Sequence, residues 1–243
     1  MSENSKHTLH VIMQAKGGVG KSLISSFVMQ YEQSKGNDVF GYDTDPSNAT
    51  FSTIASLGAK HLNIITDGKI DASTFDKLIN EIAETENKNI VIDTGSSTFA
   101  PLLEYLVEGE IFDMLKSKYD VIIHIPIMGG QEQNNTLDGL NTIFECFPKE
   151  KFVVWLNNFH GEIKGINGES FEKMEIFTKL KKSILAIVPI AKRSEVTFGK
   201  DISLMTSNSL TFEQIKSSPL FGLMAKQRLA IVQRDIFAGL DVI

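Results

Sequence analysis

Short apolar runs recur along this chain, and they are separated by longer stretches in which apolar side chains return every three or four positions. The runs are nearly all apolar, which is typical of strands covered by helices on both faces of a sheet. The pattern predicts strands at 9–13, 39–42, 62–65, 90–92, 121–127, 152–156 and 184–188.

The stretches between these runs have the periodicity of amphipathic helices. The clearest begins at Leu23, continues through Phe27 and Tyr31, and is expected to end at Gly36. Another helix is predicted over 220–240, docked on the rest of the domain. Strands that alternate with helices predict an α/β fold with a doubly wound, mostly parallel sheet flanked by helices. No linker interrupts the pattern, so we predict one domain over residues 1–243.

A glycine-rich loop lies between the first predicted strand and the first predicted helix. Strand, glycine loop, Lys-Ser and helix is the layout of a phosphate-binding loop, in which backbone N–H groups and the positive helix end surround the phosphates. Lys21 can reach the β- and γ-phosphates, and the Ser22 hydroxyl can hold Mg²⁺. The predicted nucleotide-binding residues here are Gly17, Gly18, Val19, Gly20, Lys21, Ser22 and Leu23.

Carboxylates follow two other predicted strands directly. Asp43 and Asp45 come after the second strand, and Asp93 ends the apolar run 90–92. Ligands of doubly wound sheets bind at the carboxyl ends of the strands, and Mg²⁺ prefers oxygen ligands. We therefore predict a magnesium site formed by Ser22, Asp43 and Asp93. Asp-Pro-Ser-Asn after the second strand is also an ordinary turn sequence.

Two other kinds of site share parts of these motifs. Asp93-Thr94-Gly95 matches the catalytic loop of aspartic proteases, but that chemistry needs two carboxylates and the chain has no second Asp-Ser/Thr-Gly. A dinucleotide-binding loop would need a third glycine where Leu23 stands. Neither alternative accounts for the Lys-Ser pair, so we favour a triphosphate site.

Composition narrows the class of protein further. The net charge of −6 argues against a protein that coats nucleic acid. The single cysteine, Cys146, excludes an internal disulfide and fits a reducing compartment. The first ten residues are polar, and no apolar run approaches the ~20 residues of a membrane span. These features predict a cytoplasmic protein.

The loop has a second lysine, Lys16, and Ala15 stands where the general motif has its first glycine. This K-G-G-x-G-K-S form, with Asp43-Thr44-Asp45-Pro46, resembles the deviant Walker A loop and switch of the ParA/MinD ATPases. The resemblance implies an ATP-dependent homodimer in which Lys16 reaches the partner's nucleotide. It also implies slow ATP hydrolysis that depends on Lys16, Lys21 and Asp45, with Asp45 orienting the attacking water.

The same resemblance implies how the base is bound. Asn157 matches the family's adenine-contacting asparagine just past a strand, and Asn158 is a second candidate. Pro189, in Val188-Pro189-Ile190, matches a proline that flanks the base. No Asn-Lys-x-Asp guanine motif is present in the sequence, which favours ATP over GTP.

Within the family the chain most resembles the TraL-type ATPases encoded with plasmid conjugal-transfer genes. The similarity lies in Lys16–Ser22, in the residues from Asp43 to Phe51, in Phe-Val-Val-Trp-Leu-Asn at 152–157, and in Gln227-Arg228-Leu229. This similarity implies a protein that assists conjugal DNA transfer and whose partner is a plasmid transfer or relaxase complex. A plasmid-partition ATPase that binds DNA nonspecifically and a nucleotide sensor without hydrolysis stay open as alternatives.

Two surfaces bear on DNA and membrane binding. Scattered basic residues at 179, 181, 182, 192 and 193 could meet DNA phosphates, but such residues usually form a solvated face. The predicted helix 220–240 has few basic residues, and the negative charge of Asp235 offsets part of their positive charge. Membrane binding is therefore not expected.

Overall fold

The computed structural model describes residues 6–66, 69–71 and 73–243. The strands are β1 (His7–Ile12), β2 (Val39–Asp43), β3 (Lys60–His61), β4 (Ile65–Thr66), β5 (Lys69–Ile70), β6 (Asn89–Asp93), β7 (Tyr119–Met128), β8 (Lys151–Asn157) and β9 (Ile184–Ile190). The helices are α1 (Lys21–Ser34), α2 (Ser73–Glu84), α3 (Phe99–Glu108), α4 (Ile111–Leu115), α5 (Gln133–Cys146), α6 (Glu175–Leu180), α7 (Lys200–Ser207), α8 (Phe212–Ser217) and α9 (Leu223–Leu240). Short 3₁₀ turns lie at Gly130–Glu132 and Phe171–Lys173, and a π turn lies at Glu195–Gly199.

Seven strands form one sheet in the order β3-β2-β6-β1-β7-β8-β9, and each neighbouring pair is parallel. Strands β4 and β5 form a separate antiparallel ribbon. The predicted fold class, a doubly wound α/β sheet, is confirmed. Because the strands are parallel, their carboxyl ends meet at one edge of the sheet, where ligands bind in such folds.

Helices cover both faces of the sheet, and each face has its own apolar core. One core joins the strands to α2, α3, α4, α5 and α6. The other joins them to α1, α7, α8, α9 and the segment 51–57. Burial on both faces explains why the strands are almost uniformly apolar and why they could be predicted from short runs.

The predicted strand at 62–65 is wrong. The third strand of the sheet is instead Lys60–His61, which pairs with the end of β2. Leu62 and Ile64 are buried, as expected for an apolar run, but they belong to a segment that leaves the sheet. The backbone N–H of Ile65 donates to Asn63 Oδ1, and Ile65 then begins the separate ribbon. The apolar run therefore marks buried positions, although among the described residues the pairing with β2 ends at His61, followed by one hydrogen bond from the Leu62 N–H to the Asp43 carbonyl at 2.8 Å.

Helix α9 begins at Leu223, three residues after the predicted start, and packs against β9 and α1. Its buried side chains are Leu229, Val232, Ile236 and Leu240. In the described parts of the chain, no helix combines the length and apolar character needed to cross a bilayer.

Candidate functional site

The phosphate loop joins the end of β1 to α1. Gly18 and Gly20 have φ of 74° and 96°, a left-handed conformation that side chains rarely adopt. Gly20 caps α1 without any side-chain hydrogen bond, and the first helical turn has no acidic residue. The first backbone N–H groups of α1 and its positive end therefore face this loop, which is the arrangement that binds phosphate.

Lys21 is the first residue of α1, two residues before the predicted helix start, and its side chain is buried. Its Nζ donates a hydrogen bond to the backbone carbonyl of Lys16 at 3.0 Å. Burial lowers the pKa of Lys21, and the charges of Asp93 and Asp45 oppose this effect. A buried ammonium held by one backbone acceptor has donors left for the oxygens of a phosphate chain.

Asp93 lies at the carboxyl end of β6, between Ile12 of β1 and Asp43 of β2 in the sheet register. Its Oδ1 accepts a hydrogen bond from Ser25 Oγ at 2.9 Å. Its Oδ2 is buried and has no hydrogen-bond partner among the described residues. Burial raises the pKa of Asp93 to about 7, and the Ser22 hydroxyl offsets part of that rise.

These groups fit Mg²⁺. A buried carboxylate oxygen that no described residue hydrogen-bonds, beside a serine hydroxyl in the first helical turn, supplies the oxygen ligands that this ion takes. Ser22 and Asp93 would hold the ion. When bound in such sites, Mg²⁺ neutralises charge on the β- and γ-phosphate oxygens.

Asp43 is fully buried, and both of its oxygens accept backbone N–H groups from the following loop. Oδ1 accepts from Asp45 at 3.1 Å, and Oδ2 accepts from Ser52 at 2.9 Å. Burial is the main cause of its raised pKa. In this structure, Asp43 therefore shapes the loop that carries Asp45, and its role toward the metal stays a prediction.

Asp45 lies at the same edge of the sheet and is only partly buried. Its Oδ1 accepts the backbone N–H groups of Ser47 at 2.9 Å and Asn48 at 3.1 Å, which fixes a tight turn. Gly95, just past β6, lies directly against it, since a Cβ on Gly95 would be 3.0 Å from Asp45 Cα. The loops after β2 and β6 are thus in contact beside the phosphate loop.

Lys16 is half-exposed, and its Nζ lies 3.0 Å from Glu132 Oε1 at the start of α5. Glu132 Oε2 accepts a hydrogen bond from Asn135 at 2.8 Å, so the carboxylate is held from two sides. These contacts lower the pKa of Glu132, with Asn135 the largest cause. Lys16 therefore lies at the rim of the loop, outside the cradle that contains Lys21.

A cavity of about 420 Å³ opens beside the phosphate loop. Its lining includes Gly18, Gly20, Leu23 and Asn157, all predicted to bind nucleotide, together with Ile190. Pro189 lies outside this lining and borders a smaller adjoining pocket that Ile190 also lines, so the contact of Pro189 with the base stays a prediction. Successive residues of a strand point to opposite faces, so a shift of one position exchanges the side chain that reaches the cavity.

The two asparagines are held by backbone groups. Asn157 Nδ2 donates to the carbonyl of Val19 at 3.1 Å, and its Oδ1 accepts from the N–H of Phe159 at 3.1 Å. Asn158 donates to the carbonyl of Leu156 and accepts from the N–H of Ile163, and it is not part of the cavity lining. Asn157 therefore links the phosphate loop to the loop after β8.

Sequence reasoning missed three residues that shape the site. Ser25 lies one helical turn after Lys21, a spacing that could have identified it as a neighbour of the phosphate loop. No local sequence pattern identifies Glu132 as a site residue. Gln14 is buried just before the loop and donates to the carbonyls of Pro126 and Thr136. A Cβ on Gly139 would lie 2.0 Å from Gln14 Oε1, so that glycine leaves room for the amide.

We expect the buried charge of Asp93 to make the nucleotide-free protein less stable at neutral pH than in mild acid. Its pKa is 3.8 when unperturbed and about 7 in the folded protein. Between these values the folded chain retains a proton that the unfolded chain has lost, so stability falls as the pH rises from about 4 to about 7. Asp93→Asn should therefore raise the melting temperature at pH 8 by on the order of 5 °C.

Thermal melts in EDTA, from pH 5 to pH 8, measure this effect. The gain from Asp93→Asn should shrink toward pH 5, whereas the exposed control Asp138→Asn should show no such trend. Equal gains at both ends of the range would contradict the assignment of a buried charge to Asp93.

The chain is similar to known nucleotide-binding proteins. Residues 10–197 match the model of the CobQ/CobB/MinD/ParA nucleotide binding domain. The chain is 39% identical to Protein TraL of Escherichia coli over 235 residues, which cover 96% of this chain and 97% of that protein. This confirms the resemblance to the TraL proteins.

Two solved structures have a similar fold. The MinD cell division protein of Aquifex aeolicus matches with a TM-score of 0.53 and 16% identity, over 95% of this chain and 97% of that one. A nucleotide-binding protein of Archaeoglobus fulgidus, solved in complex with ADP, matches with a TM-score of 0.52 and 16% identity, over 83% and 86%. The chain belongs to the CobQ/CobB/MinD/ParA family of nucleotide-binding domains.

Proposed function

We propose that this protein binds ATP with Mg²⁺ and hydrolyses it slowly, as a switch that controls dimerisation. The observation that carries the proposal is the pair of lysines on one loop, with Lys21 inside the cradle and Lys16 at its rim. One lysine suffices to hold a bound phosphate chain. We expect the second, half-exposed lysine at the rim to act on a nucleotide outside its own subunit.

Each residue of the site has its own role in this proposal. Lys21 and the first N–H groups of α1 hold the phosphates and stabilise charge that develops on the γ-phosphoryl group. Asp45 orients the attacking water from a turn that Asp43 and Gly95 support. Lys16 leaves Glu132 and neutralises charge on the nucleotide of the partner subunit. Slow turnover makes the ATP-bound dimer a timed state.

We propose that this timed state serves plasmid conjugal transfer, with a transfer or relaxase complex as its partner. The support is similarity to Protein TraL along nearly the whole of both chains. Such similarity favours a shared role over an isolated nucleotide-binding module attached to other machinery.

Size-exclusion chromatography with light scattering, in ATP, in ADP and without nucleotide, tests the switch. We expect twice the monomer mass of 26.9 kDa with ATP and Mg²⁺, and the monomer mass in the other two samples. Phosphate release from the same ATP sample tests hydrolysis. If ATP binds but the mass is the same in all three samples, the dimerisation switch is contradicted. The protein would then be interpreted as a nucleotide sensor.

A further inference from the structure

The loop that follows β8 places two aromatic rings at the mouth of the cavity beside the phosphate loop. Phe159 is 46% exposed, and its ring meets that of His160 edge to face, with centroids 4.8 Å apart. Both residues line the cavity together with Gly18 and Gly20 of the phosphate loop. A large aromatic side chain left exposed at a cavity mouth is available to a flat ligand.

This loop is held firmly on two sides. On one side Asn157 binds the backbone of both Val19 and Phe159, so a single buried amide sets the spacing between the phosphate loop and the aromatic residue. On the other side it lies against Gly129, where a Cβ would be only 2.0 Å from the carbonyl oxygen of Gly161. The ring of Phe159 is therefore carried on a backbone that is positioned before any ligand arrives.

The rest of the cavity offers mainly apolar contact. Leu23, Ile54, Ile190, Ile202 and Met205 all contribute to its lining. Asn157, the residue expected to read the base, already has both ends of its amide hydrogen-bonded to backbone groups. A base that enters this cavity therefore meets an aromatic ring, aliphatic side chains and an Asn157 amide that already holds two backbone groups.

We propose that Phe159 is the base-binding residue of this site, and that it stacks on the purine while Asn157 acts as a positioning residue. The proposal rests on the proposed binding of ATP. Stacking between a base and an aromatic ring contributes enough that loss of the ring weakens binding by about tenfold to a hundredfold. Phe159 thus supplies the affinity for the base, and the cradle around Lys21 supplies the affinity for the phosphates.

Calorimetry with two probes separates these contributions, using Mg²⁺-ATP and Mg²⁺-tripolyphosphate, which has no base. Phe159→Ala should weaken ATP binding by about tenfold or more and leave tripolyphosphate binding unchanged. The control Ile166→Ala, on the same connection but fully exposed and outside the cavity lining, should change neither. ATP affinity equal to wild type in Phe159→Ala would overturn the proposal, and so would an equal loss for both probes.

Phe159→Trp gives an optical test on the same site. The larger ring should retain ATP affinity, and ATP should quench its fluorescence, whereas tripolyphosphate should not. The one native tryptophan, Trp155, is buried within β8, so wild-type protein titrated in parallel provides the background. Equal quenching by both ligands would contradict stacking. If wild-type protein binds tripolyphosphate but not ATP, the proposed function itself fails, and that result differs from every outcome for Phe159.

Discussion

Lys16→Ala should lower the ATP hydrolysis rate by at least about 100-fold and keep the protein monomeric in ATP, while ATP affinity stays close to wild type. The side chain of Lys16 points away from the cradle to Glu132, so its removal does not take a donor from phosphates bound in the same subunit. Its backbone carbonyl, which holds Lys21 Nζ, is retained in the alanine variant. We therefore expect ATP binding and catalysis to be separable at this position.

Calorimetry, phosphate release and light scattering on one preparation measure the three quantities. Lys35→Ala is a matched control, because it breaks an exposed ion pair with Asp241 at the far end of α1 and should change none of them. Glu132→Gln should retain hydrolysis and dimerisation, since it removes only the carboxylate that holds Lys16. Normal hydrolysis by Lys16→Ala would contradict the dimer mechanism.

The phosphate loop could be predicted from sequence because its signal is local. The glycines, both lysines and Ser22 lie within seven consecutive positions, and the left-handed conformations of Gly18 and Gly20 require glycine there. Asp93 could also be predicted from sequence, because a carboxylate that ends a uniformly apolar run marks the carboxyl end of a buried strand. In both cases the same few residues determine the chemistry and the secondary structure.

The other side of the cavity depends on contacts that no short motif encodes. Asn157 binds the carbonyl of Val19 across 138 positions of sequence, so the use of its amide became apparent only in the folded chain. Ile190 lines the larger cavity and Pro189 does not, because successive residues of a strand face opposite sides of the sheet. Glu132 meets Lys16 because β7 and β1 are neighbours, and strand order is a property of the sheet as a whole.

The loop after β2 combines both situations. The sequence predicts Asp43 and Asp45 as a pair, but only the structure separates their tasks, because Asp43 uses both oxygens on the backbone of the loop. Asp45 uses one oxygen, Oδ1, for the turn at Ser47 and Asn48. A substitution that keeps this acceptor and removes the charge therefore tests the catalytic role proposed for Asp45.

Asp45→Asn should lower phosphate release by about 100-fold or more, because a neutral amide orients and deprotonates water poorly. ATP binding should persist, and the ATP-bound dimer should last longer than that of wild type, since hydrolysis is what ends it. Single-turnover phosphate release and light scattering over time measure the two effects. Asp45→Ala, which also removes the turn acceptor, separates loss of charge from loss of loop shape.

The exposed control Asp38→Asn, just before β2, should behave as wild type in both assays. If Asp45→Asn releases phosphate at the wild-type rate, Asp45 does not position the water, and the catalytic carboxylate must be sought elsewhere at this edge. If phosphate release stops but the dimer dissociates at the wild-type rate, ATP hydrolysis does not determine the lifetime of the dimer. A slow chemical step and a long-lived dimer in the same variant would show that one carboxylate sets both, as expected when the attacking water is placed from a rigid turn.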